Sequence, residues 1–267
     1  MTPFEEEVAS RVSANAQDPQ LVGAAKAFME ASTLPKYCYN FSSLGRPIIQ
    51  YPQDMVAMQE LIWAIRPDLI IEAGIAHGGS LVMSAAALAL IDYTEAVERG
   101  EALDPKASRR KVLGIDIDIR SHNREAIEKH PFAHKIHMIQ GSSIDPTIID
   151  QVHAFAANHE RIMVILDSNH THDHVLKELR AYAPLTSRHS YCVVFDTIIE
   201  DVPDTMYPDR PWSKGNNPKT AVWAYLEELK ASPRTGDDGT PLSLEIDRAI
   251  QDRLLITVAA DGYLRRT

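Results

Sequence analysis

Apolar runs alternate with amphipathic segments along most of the chain, and this alternation predicts the fold. Short, continuous apolar runs are typical of strands that are buried on both faces of a sheet. Five such runs occur, at residues 68–74, 111–118, 134–141, 161–168 and 190–197. Segments with helical periodicity separate them, at about 80–99, 121–130, 146–158 and 172–183. This order predicts an α/β fold with a mostly parallel, twisted sheet, right-handed crossovers and helices on both faces.

The two ends of the chain add further elements. Residues 4–15 and 20–31 have helical patterns, and the proline- and aromatic-rich segment 33–53 favours an ordered loop. Asp54 is expected to cap a helix that ends at Ile65. After a predicted helix at 218–231, the runs 243–250 and 254–266 predict a C-terminal antiparallel strand pair. We therefore expect an N-terminal helical extension with a substrate or cofactor loop (1–53), followed by a ligand-binding domain (54–267).

Composition excludes several classes of partner. The 267 residues include 27 basic and 37 acidic side chains, which give a net charge of -10. Such a surface repels phosphate groups, so we expect neither nucleic-acid nor anionic-membrane binding. Two cysteines, Cys38 and Cys192, lie far apart and favour a reducing compartment over a disulfide framework or zinc site. With no signal-peptide pattern in residues 1–15, we expect a cytoplasmic protein.

Ligands of open α/β sheets bind at the carboxyl ends of the strands, and the first of these ends is rich in glycine. The spacing of Gly74, Ala76 and Gly79 departs from the dinucleotide pattern G-x-G-x-x-G, because the middle glycine is alanine. The acidic Glu72 suits a cationic group such as the amine of S-adenosylmethionine. A tight turn that binds nothing is the alternative. Candidate cofactor-binding residues at this tip are Glu72, Gly74, His77, Gly79 and Ser80.

The second and third strand ends offer polar groups for the rest of a cofactor. Asp116 can accept hydrogen bonds from both hydroxyls of a ribose, a feature common to NAD and S-adenosylmethionine sites. Ser142 and its neighbour Ser143 follow the third strand and could border an adenine ring. Helix capping by Ser143 or Asp145 is an equally good interpretation of that segment.

The fourth and fifth strand ends each carry an aspartate, and these two strands are expected to be neighbours. Asp167 and Asp196 together form a hard oxygen site that suits Mg²⁺. His170 lies at the fourth tip and is a candidate general base, whereas His172 and His174 are interpreted as solvated helix residues. The long, aperiodic segment 198–217 is typical of a lid or binding loop.

The order of these motifs resembles that of a known family. The segments Glu72-Ala73-Gly74, Asp116-Ile117-Asp118, Asp167-Ser168-Asn169-His170 and Asp196-Thr197 are similar to those of the cephalosporin hydroxylase family. That family includes rhamnosyl and other deoxysugar O-methyltransferases. The resemblance extends upstream to Leu44-Gly45-Arg46 and covers roughly residues 40–265.

The resemblance implies a Rossmann-like class I methyltransferase fold that binds S-adenosylmethionine and acts on a small sugar-containing acceptor. It implies that Mg²⁺, or another divalent cation, is held by Asp167 and Asp196, and that His170 is the catalytic base beside Asp167. Together with the strand ends described above, this gives an expected cofactor site of Glu72, Gly74, His77, Gly79, Ser80, Asp116, Ser142 and Asp167. Relatives often have Glu-Asp at the fifth tip, where this chain has Phe195-Asp196. A site with three carboxylates would therefore require Glu200 or Asp201 from the following loop.

Two other functions are open at this point. One is an oxidoreductase or hydroxylase that uses NAD at the glycine turn or iron near Asp167 and His170. The other is a non-catalytic, cofactor-binding subunit. Apolar residues in the N-terminal helices, including Phe4 and Met29, favour a homo-oligomer, although packing on their own domain explains them equally well.

Overall fold

The computed structural model describes residues 2–267 and is built around a seven-stranded sheet. Strands β3 to β9 form this sheet, and β1 and β2 form a separate two-stranded hairpin. The strands are β1 (Phe41–Ser43), β2 (Arg46–Ile48), β3 (Leu69–Ala73), β4 (Lys111–Asp116), β5 (Ile136–Gln140), β6 (Ile162–Leu166), β7 (Tyr191–Val194), β8 (Leu244–Ile246) and β9 (Tyr263–Arg266). The helices are α1 (Pro3–Gln17), α2 (Pro19–Thr33), α3 (Pro52–Ile65), α4 (Gly79–Arg99), α5 (Ser121–Glu128), α6 (Pro146–Ala156), α7 (His172–Tyr182), α8 (Pro218–Ala231) and α9 (Arg248–Leu254).

The strand order in the sheet is β5-β4-β3-β6-β7-β9-β8. The first five positions pair in parallel, and β9 pairs antiparallel with both β7 and β8. The predicted α/β sheet with a C-terminal antiparallel pair is thus confirmed. After β5 the chain returns to the other side of β3, so the order reverses between β3 and β6. Ligands of open α/β sheets bind at such a reversal.

Alternate residues of each strand enter two separate apolar cores. In β3, Leu69, Ile71 and Ala73 face the core formed with α6, α7 and α8, whereas Ile70 faces the core formed with α3, α4, α5 and α9. Burial on both faces explains why the strands are continuous apolar runs rather than alternating ones. Helix α4 is long and apolar enough for a membrane span by length and composition. It packs on the sheet through Leu81, Ala85 and Leu88, as a core helix does.

Two predictions for residues 33–65, the helix cap at Asp54 and the loop at 33–53, were wrong in detail. Asp54 does not cap α3, because Tyr51 is the N-cap and Pro52 occupies the first helical position, which its fixed φ favours. Asp54 instead lies within the first turn and is 0% exposed. The segment predicted as a loop contains the hairpin β1–β2, whose turn places Leu44 and Gly45 at positive φ.

The C-terminal strand pair is shorter than predicted. Residues 243–250 form strand only at Leu244–Ile246, and most of 254–266 is irregular before β9 begins at Tyr263. Helix α9 occupies the space between them, because the Asp247 side chain accepts a hydrogen bond from the Ala249 amide and caps it.

A buried ion cluster stabilises the face of the sheet that packs against α4. Asp92 on α4 accepts hydrogen bonds from Arg110 at 2.6 Å and from Lys135, which is 1% exposed. Asp92→Ala leaves both cations without this partner, and we expect a loss of about 3–5 kcal/mol in the free energy of unfolding. Denaturant unfolding measures it, with Glu227→Ala in the exposed Glu227–Lys230 pair as control. Equal, small losses in the two variants would contradict the prediction.

Candidate functional site

The glycine turn after β3 is fixed by its contact with the end of β6. Gly74 has a φ of 102°, and a Cβ there would lie 2.0 Å from the backbone oxygen of Asp167. The Asp167 amide donates to the carbonyl of Ala73 at 2.8 Å. Only glycine fits this position, so the turn and the Asp167 tip form one joined surface at the reversal of strand order.

Asp116 stabilises the same turn from the neighbouring strand. One carboxylate oxygen accepts from the amides of Ile75 at 2.8 Å and Ala76 at 3.1 Å, and the other accepts from the Asp118 amide at 3.0 Å. Ala76 has a positive φ of 46°, which these hydrogen bonds help to hold. The sequence predicted that Asp116 binds a ribose. It did not predict that Asp116 also stabilises the turn.

Glu72 is a buried carboxylate with one free oxygen. The side chain is 2% exposed and accepts a hydrogen bond from the hydroxyl of Ser80, while Oε2 has no partner among the described residues. Burial raises the pKa of Glu72 to about 7. A buried carboxylate with an unused oxygen is suited to a cationic group of a ligand.

The remaining predicted cofactor residues lie around this turn in different roles. The His77 carbonyl accepts from the guanidinium of Arg46 at 3.0 and 2.6 Å, and Arg46 also donates to Asn123 at 2.9 Å. A Cβ at Gly79 would lie 2.3 Å from the Pro47 carbonyl oxygen, so this glycine permits close packing of the β1–β2 hairpin. The β1–β2 hairpin therefore packs against the glycine turn after β3 and restrains it. The sequence pattern did not predict this contact.

The loop after β5 splits into a half-buried and a buried part. Ser142 is half-buried, whereas Ser143 is buried and donates its hydroxyl hydrogen to Glu178. Asp145 caps α6 by accepting from the Thr147 amide at 2.8 Å, which is one of the two capping alternatives.

Asp167, His170 and Asp196 come together at the tips of β6 and β7. One ligand atom from each residue lies within 4.8 Å of the other two. His170 Nδ1 is 3.3 Å from Asp196 Oδ2. Burial, followed by the nearby carboxylates of Asp196 and Glu72, raises the pKa of Asp167 well above its ordinary value. The cluster therefore concentrates negative charge that a cation would neutralise.

Residues on both sides of the cluster restrain it. The Gln50 side-chain amide donates to Asp167 Oδ2 at 3.4 Å, and sequence reasoning missed this residue because it lies in the aperiodic segment before α3. Trp212 packs edge-on against the His170 ring with centroids 4.7 Å apart. Asp196 has a left-handed φ of 54°, a strained conformation of the kind that concentrates at functional sites.

Glu200 and Asp201, the two possible sources of a third carboxylate, do not belong to the group of Asp167, His170 and Asp196. Glu200 Oε2 accepts from the Gly215 amide at 2.7 Å and from the Asn217 side chain, and Asp201 pairs with Lys219. Both carboxylates stabilise the long loop instead, and Phe195 is buried in the apolar core. Neither residue therefore provides a third carboxylate beside Asp167 and Asp196.

His172 and His174 are bonded to protein groups and are not merely solvated. His172 Nδ1 is 2.8 Å from the Thr220 hydroxyl, and His174 Nε2 is 3.0 Å from that of Ser143. Neither belongs to the Asp167, His170 and Asp196 group.

A cavity of about 280 Å³ adjoins the cluster. His170 and Asp196 lie on its wall, which the N-terminal extension and the loop at 198–217 complete. Its aromatic residues are Tyr39, Tyr51, Tyr207 and Trp212. The size suits a small molecule with apolar faces, held next to polar groups that could react with it.

Comparison with known proteins identifies relatives of this chain. A family model described as "Rhamnosyl O-methyltransferase/CmcI" matches residues 35–267. A rhamnosyl O-methyltransferase of Mycobacterium bovis is 30% identical over 218 residues, covering 80% of this chain and 73% of the relative. A rhamnosyl O-methyltransferase of Mycobacterium leprae is 27% identical over 224 residues, covering 84% and 82% of the two chains.

The fold also matches solved structures. A CmcI structure described as Mg-SAM has a TM-score of 0.53 and 18% identity, and covers 86% of this chain and 77% of its own. The apo form of CmcI gives a TM-score of 0.52 at 17% identity with the same coverage. These matches confirm the predicted Rossmann-like class I methyltransferase fold.

The buried Glu72 predicts a pH-dependent stability. A carboxyl whose folded-state pKa is raised stabilises the fold below its unfolded value of 4.5, and this contribution is lost as the pH rises through about 7. We expect Glu72→Gln, without ligand, to be more stable than wild type at pH 8 by up to roughly 3 kcal/mol. The difference should shrink at pH 5, where Glu72 is protonated.

Guanidinium unfolding at the two pH values measures this difference in free energy of unfolding. The exposed Glu101, which pairs with Arg99, provides the control substitution Glu101→Gln. A Glu72→Gln variant that is no more stable than wild type at pH 8 would show that Glu72 is not held in an unfavourable charged state.

Proposed function

The chain belongs to the rhamnosyl O-methyltransferase/CmcI family, and we propose that it transfers a methyl group from S-adenosylmethionine to a sugar hydroxyl. Mg²⁺ or another divalent cation is the proposed metal. The observation that carries this proposal is the convergence of Asp167, His170 and Asp196 between the glycine turn and the adjoining cavity. The relatives named as rhamnosyl O-methyltransferases support a deoxysugar, in particular a rhamnosyl group, as the acceptor.

The cofactor is proposed to lie across the glycine turn. The free oxygen of buried Glu72 suits the ammonium of the methionine part, and Ser80 fixes the other oxygen. The proposed ribose ligand is Asp116, whose carboxylate already borders the turn. Gly74 lets the ligand approach the backbone next to Asp167. His77, Gly79 and Ser142 complete the proposed contact set through their positions around the turn and the β5 tip.

The residues at the β6 and β7 tips fit a hard divalent cation. Two carboxylates and an imidazole present atoms within 4.8 Å of one another, and burial together with the nearby carboxylates of Asp196 and Glu72 raises the pKa of Asp167. Asp167 and Asp196 would hold the metal, since oxygen ligands suit Mg²⁺. When bound, the cation would lower the pKa of the acceptor hydroxyl.

His170 is the proposed base of the transfer. A hydrogen bond from its Nδ1–H to Asp196, 3.3 Å away, would orient the ring and leave Nε2 free to take a proton. The oxygen–methyl bond forms while the sulfur–methyl bond breaks, and the hydroxyl proton passes to His170. Trp212 restrains the ring, and the cavity walls would position a bound acceptor for the transfer.

The other functions considered for the sequence lack comparable support. The matched family and relatives are O-methyltransferases, and none of the matches reported above favours NAD- or iron-dependent chemistry or a non-catalytic subunit. A cytoplasmic location and a homo-oligomer remain proposals. Phe4 is exposed and available for an interface, whereas Met29 is buried in the core of its own chain.

Loss of the proposed base should separate catalysis from cofactor binding. We expect His170→Ala to lower the turnover of a rhamnoside acceptor about 10²- to 10⁴-fold, because proton removal slows, with little change in affinity for S-adenosylhomocysteine. Turnover is measured by transfer of labelled methyl groups, and affinity by calorimetry. His172→Ala, which loses the hydrogen bond to Thr220, is the matched control. Wild-type turnover in His170→Ala would remove histidine from the role of base.

A further inference from the structure

We propose that Asp54 is a positioning residue that holds Asp196 in place through the backbone of residues 257–258. Asp54 lies at the start of α3, far from Asp196 in sequence, and is not among the residues assigned to the site. The inference rests on the proposed function, because the purpose of positioning Asp196 is to hold a metal ion.

The Asp54 carboxylate binds the C-terminal segment through three donors. Its Oδ1 accepts from the hydroxyl of Thr257 and from the hydroxyl of Tyr263, the latter at 2.8 Å. Its Oδ2 accepts from the Val258 amide at 3.0 Å. The side chain is 0% exposed, so these contacts replace all the water that would otherwise solvate the carboxylate. The Thr257 hydroxyl also accepts from the Ala259 amide at 2.9 Å, which fixes the turn locally.

The same short segment then contacts the residues that follow Asp196. The carbonyl of Val258 accepts from the Ile198 amide at 3.1 Å and from the Thr197 hydroxyl at 3.3 Å. Thr197 is completely buried, so the chain directly after Asp196 is fixed by these hydrogen bonds to Val258 and by burial. Asp54, residues 257–258 and residues 197–198 therefore form a continuous series of hydrogen bonds, which we name the Asp54 strut.

Asp196 needs such support because of its backbone conformation. Its φ of 54° and ψ of 20° are left-handed, and a residue with a Cβ stays in that region only when its surroundings hold it there. The strut holds the two residues that directly follow Asp196, and it does so before any ligand is present.

The experiment weakens the strut at its two hydroxyl contacts. Thr257→Val keeps the side-chain shape and removes the hydroxyl, Thr257→Ser restores the hydroxyl, and Tyr263→Phe removes the phenol donor. Tyr191→Phe is the matched control, because Tyr191 donates at 2.6 Å to Asp247, a carboxylate outside the strut. Two readouts are used: hydrogen exchange of the Ile198 amide by NMR, and Mn²⁺ affinity by electron paramagnetic resonance.

We expect Thr257→Val and Tyr263→Phe to accelerate Ile198 exchange and to weaken Mn²⁺ binding about ten-fold, as is typical when a group that orients a metal ligand is lost. Thr257→Ser and Tyr191→Phe should retain wild-type values in both measurements. Denaturant unfolding of all four variants identifies effects that arise from lost stability alone.

Two results would overturn the inference, and they can be told apart. Mn²⁺ affinity that stays at the wild-type value in Thr257→Val and Tyr263→Phe, despite lower stability, would make Asp54 a structural residue only. Wild-type protein that binds no Mn²⁺ would instead overturn the proposed metal site, and the positioning role with it, even if Ile198 exchange followed the predicted pattern.

Discussion

The proposed site depends on carboxylates that lie close together at the ends of adjacent strands. Parallel pairing of β6 with β3 and β7 brings Asp167 between Glu72 and Asp196. Glu72 is buried, whereas Asp167 and Asp196 are half-buried. Burial raises the pKa of Glu72, and burial followed by the nearby carboxylates of Asp196 and Glu72 raises the pKa of Asp167. A divalent cation and the ammonium of the cofactor would supply the positive charges that this arrangement favours. The fold thus brings the negatively charged groups of the site together, and the bound ligands would supply the positive charges.

Backbone strain accompanies this charge at the same place. Ala76 and Asp196 have positive φ, which is unfavourable for residues with a Cβ, and lie at strand tips that border the proposed ligands. Hydrogen bonds from elsewhere in the chain hold these residues, with Asp116 supporting the turn and Val258 supporting the segment after Asp196. These hydrogen bonds fix the strained backbone, and with it the side chains and amides of the site, before a ligand binds. Less conformational entropy is therefore lost on binding.

The sequence predicted what depends on local pattern and missed what depends on distant contacts. The continuous apolar runs located β3 to β7, and the acidic residues that end them located Asp167 and Asp196. The sequence gives no role for Gln50 or Arg46, although Arg46 lies within the family resemblance, because their partners lie 117 and 31 residues or more away and no periodicity marks them. The pattern predicts a helix cap at Asp54, the usual role of an aspartate before an apolar run, whereas its partners lie 203 or more residues away. Helix α9 was missed because a short apolar segment suits a strand equally well.

The measurement that tests the account most directly is calorimetric titration of the protein with S-adenosylhomocysteine, with Mg²⁺ and again with EDTA. The account predicts saturable binding at one site per chain in Mg²⁺, with Glu72→Gln binding more weakly because the buried carboxylate no longer meets the ammonium. Loss of binding in EDTA would link the metal to the cofactor pocket, and unchanged binding would place its role on the acceptor side. Absence of binding in both conditions would contradict the proposed methyltransferase site.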